Sequence, residues 1–339
     1  MSKRTPAIIA LAFALLGTAC LCLPGGLLPF VGGTQQLPSA QASTAAAEPT
    51  LAEEQIPACV LRLDQTLYEA ENGSSSGAQL TNEFPLVTYS VEGDAIIRPE
   101  YPPVPGQVAE YQQDVAGQQE IWRFVTDVIP ADQRTWIIHF EVYTDGVGGS
   151  LGAVEQTDDP HYWRLQVDLI DAGSFADLST TLIHELGHLL TLNDSQVTTD
   201  QRVFLNPDDE RVYQQAEAAC STYFVFEGCS RPDSYLNLFF SRFWTDIYDE
   251  WLAVDQEEDR RVYEERLDAF YQAYALQFVS SYAATSPTED IAESFMYFIF
   301  SPRPSGETIA DQKVLFFYEY PEMVDLRQRI LEHLCTYLD

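Results

Sequence analysis

LIHELGHLL, residues 182–190, sets two histidines four apart, His184 and His188, with Glu185 beside the first, in a run that is otherwise apolar. On an α-helix, residues four apart lie one turn above each other on one face, so both imidazoles reach a single ion. Glu185 stands beside them, within reach of a water held at that ion. Zinc in this position lowers the pKa of the water and polarises a carbonyl, while the carboxylate takes the proton and passes it to a leaving amine. The spacing therefore predicts a helix that carries hydrolytic metal chemistry. Leu182, Ile183, Leu186 and Leu189 supply apolar surroundings, and Gly187 leaves room for another segment to come close.

Working outward, Thr135 to Tyr143 (TWIIHFEVY) is rich in β-branched and aromatic residues and stops before Asp145-Gly146, the pattern of a strand. A glycine-rich link through Gly152 leads to Tyr162–Ile170, whose alternation of apolar and polar residues predicts a second strand buried on one face. Ser174 then caps a helix over 175–192, which carries the motif. Another helix is predicted near 107–128, and from Asp208 onward the pattern is helical almost throughout, over 233–252, 256–282, 288–300 and 321–338. A small twisted sheet, a helix bearing the site and a mostly helical C-terminal part make an α+β class. Residues 56–115 mix short apolar pieces with turn-formers such as Glu71-Asn72-Gly73-Ser74. On that pattern 56–120 reads as a small, irregular accessory region ahead of a main domain at 121–339.

A catalytic zinc needs a third protein ligand and one open position. After Leu190 the chain reads TLNDSQ, without a further histidine, so a later carboxylate is required. The best stretch is SYAATSPTEDIAESF, residues 281–295, where a helix starts at Pro287 and presents Glu289 and Glu293 one turn apart. Two other readings stay open: Glu289 fits the acidic half of a capping box begun by Ser286, and Asp290 replaces it as ligand if the helix is rotated. HELGH followed by Y-x6-E-x-x-A-E-x-F resembles the catalytic domain of the lethal-factor-like gluzincins. The resemblance implies a zincin-like metallopeptidase fold, with Glu289 as third zinc ligand beside His184 and His188 and with Glu185 as general base. It further implies that Tyr282 stabilises the oxyanion and that Glu293 orients a ligand histidine, His184. It covers two short windows, separated by an interval longer than in those proteins. His139, His161 and His333 have no partner at ligand spacing and read as structural or surface residues, and the aromatic run from Phe239 to Trp244 reads as helix core.

The whole chain has 339 residues, 46% of them hydrophobic, enough for a substantial core. A formal charge of -34 makes the surface repel phosphate backbones, which sets nucleic acid aside as a partner. Lys3 and Arg4 precede an apolar run from Ala7, so residues 1–42 read as a signal peptide, ending at Ala40-Gln41-Ala42, or as a membrane anchor, with a flexible linker over 43–55. Removing 1–42 takes Cys20 and Cys22 with it and leaves an even set of four, for which Cys220 with Cys229 and Cys59 with Cys335 is the expected pairing. The expected protein is an exported, extracytoplasmic zinc peptidase, secreted or held at the cell surface, with a peptide or protein substrate laid along the sheet edge. The alternative is an acidic secreted or surface binding protein with a structural or non-catalytic zinc. The sequence does not fix an oligomeric state.

Overall fold

The computed structural model describes residues 58–72 and 79–338, so the signal or anchor segment and the linker lie outside the described residues. In chain order come α1 (Ala58–Asn72), β1 (Gln79–Glu92), β2 (Ala95–Glu100), α2 (Ala109–Gln112), α3 (Val115–Val128), β3 (Ile137–Gly146), β4 (Gly152–Gln156), β5 (Trp163–Asp168) and α4 (Phe175–Leu192). A smaller region follows, with β6 (Val197–Thr198), α5 (Gln201–Leu205), α6 (Glu210–Ala219), β7 (Phe224–Val225) and β8 (Gly228–Ser230). The rest is helical: α7 (Tyr235–Phe243), α8 (Tyr248–Asp255), α9 (Arg260–Ala273), α10 (Pro287–Phe300), α11 (Ile309–Phe317) and α12 (Pro321–Leu334). The class is α+β, with a small mixed sheet and a predominantly helical second half.

Five strands run in the order β2-β1-β3-β5-β4, with β3 and β5 parallel and the other pairs antiparallel. The reading of 56–120 as an irregular accessory region is corrected here, because β1 lies inside the sheet between β2 and β3. Pro85 hides that strand in the sequence, since it cannot donate to a ladder, and the β1–β3 register shifts on either side of it. The same region supplies α1, whose Val60, Leu63, Leu67 and Ala70 form a buried stripe at helical spacing. Residue 120, the expected boundary, falls within α3.

Helix α4 starts where Ser174 accepts the backbone N–H of Asp177, and from Leu178 to Leu192 every residue is buried. A helix buried all round needs neighbours on every side. The sheet supplies one through β4, and α1 and α10 supply others. Helix α10 comes close at Gly187, where an added Cβ would stand 2.9 Å from the Cα of Ala292. Two backbones in contact leave no flexible atom to give way. Gly187→Ala is therefore expected to cost about 1–3 kcal/mol, because α10 must move off α4. Denaturant unfolding checks this, and a variant as stable as the parent would show that the crossing yields freely.

Both expected disulfides form, Cys59–Cys335 with Cα atoms 5.7 Å apart and Cys220–Cys229 with 5.6 Å. The first ties α1 to the end of α12, and the second braces the three-stranded sheet β6-β8-β7. Phe239, Phe243 and Trp244 are buried, as core residues of a helix and its end should be. No described helix is long and apolar enough to cross a membrane.

Candidate metal centre

The crossing of α4 and α10 brings the two sequence windows together. Ser286 caps α10 by accepting the backbone N–H of Glu289 at 3.1 Å, and Pro287 fills the first turn. The Glu289 side chain does not return to that cap. Its Oε2 lies 3.1 Å from His184 Nε2 and 3.3 Å from His188 Nε2, and the two Nε2 atoms are 3.0 Å apart. Asp290 points elsewhere, toward Trp244 Nε1 at 2.7 Å and Lys313 Nζ at 2.5 Å, so the rotated-helix reading does not hold.

The chemistry of the three donors fits a small divalent cation. His184 Nδ1 lies 2.7 Å from Glu293 Oε1, and because a carboxylate accepts, the ring donates there and turns the lone pair of a neutral Nε2 inward. Inward-facing lone pairs and a carboxylate oxygen repel unless something positive sits among them. Ligands 2.0–2.1 Å from a tetrahedral zinc stand roughly 3.3–3.4 Å from one another, close to the spacing found. The field points the same way. Burial alone would lower the basicity of His184, yet hydrogen bonds to Glu289 and Glu293 win and raise its pKa to about 10. Burial pushes the Glu289 carboxyl up, but His188 and His184 outweigh it and hold it far below the usual range. A site that would keep a proton on a buried histidine also attracts a cation.

Glu185 is 1% exposed, and neither carboxylate oxygen has a hydrogen-bond partner of normal geometry. Burial raises its pKa to about 7, while His188, His184 and the backbone N–H of Val154 on β4 pull it down. Tyr282 lies in the short 3-10 turn ahead of α10, its ring centroid 5.8 Å from that of His184. Its phenol is raised well above the usual range by burial, then by the charges of Glu289, Glu185 and Glu293. Glu293 is held in turn by Ser280, whose hydroxyl donates to Oε2 at 2.5 Å. No spacing in the sequence singles out Ser280, because a turn rather than a helix brings it back onto Glu293.

All six residues expected at the site, His184, Glu185, His188, Tyr282, Glu289 and Glu293, thus gather around one point. The remaining histidines stay apart from the donor group; His161, for example, is exposed and pairs with Asp159 at 2.7 Å. A second carboxylate group, Asp145, Asp168 and Asp171, clamps the turn after β3 to the end of β5. Asp168 accepts the backbone N–H groups of Asp145 and Ile170, Asp171 that of Gly148, and Asp145 that of Ser150. Comparison of the chain with models of known protein families, with curated proteins and with solved structures returns no match.

Proposed function

We propose that this protein is a zinc-dependent peptidase of the gluzincin type, resembling the lethal-factor-like catalytic domains, that hydrolyses peptide bonds. One observation carries the reading: His184, His188 and Glu289 meet around a point beside which Glu185 stays buried, its carboxylate oxygens without a hydrogen-bond partner of normal geometry. A structural zinc closes its coordination with four protein ligands, whereas the donor group found among the described residues numbers three. A bound zinc ion would polarise the scissile carbonyl and acidify a water. Glu185, with its pKa near neutrality, would then take the proton of the attacking water and pass it to the leaving amine. Tyr282 donates its hydroxyl to the oxygen on which negative charge develops. Glu293 fixes the His184 ring in the tautomer that turns Nε2 inward, and Ser280 fixes Glu293. Among the described residues β4 ends the sheet and pairs with β5 alone, so its outer edge accepts an extended peptide as a further strand. The two disulfides accord with an extracytoplasmic protein, secreted or anchored at the cell surface.

Metal analysis of the purified protein and of Glu289→Ala tests the ligand set. The parent is expected to hold about one zinc per chain, and the variant to bind it at least about 100-fold more weakly, since even loss of an orienting partner costs 10–100-fold. Undiminished zinc in Glu289→Ala would remove Glu289 from the site. Zinc retained by a parent that cleaves none of a mixed peptide library would favour the non-catalytic binding protein instead.

A further inference from the structure

A cavity of about 300 Å³ adjoins the metal centre and shares Glu289 and Tyr282 with it. Its volume lies at the lower end for ligand pockets, room for one side chain and adjoining backbone. Tyr213, Tyr248 and Trp251 supply aromatic surface to its wall. Glu210, Glu217, Glu227 and Asp255 add carboxylates, and no lysine, arginine or histidine is among the lining residues. Of these four, Glu227 feels the charges of the donor residues His188 and Glu289. It sits on the tight turn between β7 and β8, where the next residue, Gly228, comes so near Thr198 that a Cβ on it would stand 2.2 Å from that residue's carbonyl oxygen. Burial raises the pKa of the Glu227 carboxyl, while its own backbone N–H and then His188 pull it down and Glu289 pushes it up, and no salt bridge pairs it among the described residues.

We propose that this cavity is a specificity pocket that takes the lysine or arginine side chain of a peptide residue flanking the scissile bond, with Glu227 as its anionic end. As a statement about substrate, this rests on the peptidase reading above. An apolar side chain in the cavity would strip water from Glu227 and return nothing to it, a loss that disfavours such substrates. A basic side chain does the reverse. Its methylene stem lies along the aromatic wall, its cationic head faces ring faces that attract cations, and its charge answers the carboxylates.

Two measurements on the whole protein test the proposal and separate it from the peptidase reading. The first is binding of Nα-acetyl-arginine amide and Nα-acetyl-norleucine amide, followed by calorimetry. The arginine compound is expected to bind at least tenfold more tightly, and Glu227→Gln to erase that advantage while Glu264→Gln, on the exposed face of α9, keeps it. Equal binding of the two compounds to the parent, or an advantage that survives Glu227→Gln, overturns the pocket whether or not the protein cleaves anything. The second is kcat/KM on quenched peptides that differ only at the residues flanking the cleaved bond. A preference of tenfold or more for lysine or arginine over leucine at one position is expected, and it should shrink about tenfold in Glu227→Gln. Cleavage without such a preference overturns the substrate assignment. Selective arginine binding with no cleavage at all would sink the peptidase reading and leave the cationic pocket standing.

Discussion

Glu185→Gln is expected to lower kcat by about 10²–10⁴-fold on any cleaved peptide while zinc content stays at the parent level. Metal retention follows from the geometry, because the converging donors belong to His184, His188 and Glu289 and exclude Glu185. Glutamine keeps the shape of the side chain and loses only the basic oxygen. Stability should not fall, since a buried carboxylate with no hydrogen-bond partner of normal geometry is replaced by a neutral group that is cheaper to bury. Turnover, metal analysis and thermal melting on one preparation check the three statements together. Full activity with zinc in place would assign the proton transfer to another group, while loss of zinc along with activity would mean that Glu185 supports the ligands.

The parts of this centre that were legible in the sequence are those whose geometry is local. His184, Glu185 and His188 follow from helical spacing alone, and the Ser174 cap placed the start of α4 correctly. Gly187 is a residue at which α10 comes close, as its lack of a side chain had suggested. Local rules narrowed the third ligand to the helix that carries Glu289, Asp290 and Glu293 and left a capping box as another reading of Glu289; the resemblance chose Glu289, and only the fold turns its carboxylate onto the histidines. Strand β4 had no place in the sequence reading, which took a glycine-rich link through Gly152 and assigned nothing to the residues after it, because GAVEQ is too short and its residues too small to show an alternating pattern, yet it contributes the Val154 N–H that favours the charged form of Glu185. Helix α11 was missed despite a Thr308–Asp311 capping box, since nine residues with a lysine in the middle do not read as a buried helix. That lysine makes sense only once α10 is in place.

Lys313→Met is expected to destabilise the fold by about 3–5 kcal/mol, the usual cost of leaving one charge of a buried pair alone. Lys313 and Asp290 are both 0% exposed, with Nζ 2.5 Å from Oδ2 and 4.0 Å from the centroid of the Phe278 ring. Burial pushes Asp290 up to about 6 against the pull of Lys313, and it pulls Lys313 down against the push of Asp290. Taking the lysine away leaves Asp290 with the Trp244 N–H on one oxygen and no partner on the other. The double variant Lys313→Met with Asp290→Leu removes both charges and should regain most of the loss, so denaturant unfolding of the two singles and the double forms a mutant cycle whose coupling reports the desolvated pair. Asp290 adjoins Glu289 in the first turn of α10, which links the pair to the metal centre. If its role is to seat that turn, Lys313→Met also weakens zinc binding. A single variant that costs less than about 1 kcal/mol would mean that water reaches the pair and screens it, and the seating of Glu289 would then rest on the Ser286 cap and the Gly187 crossing.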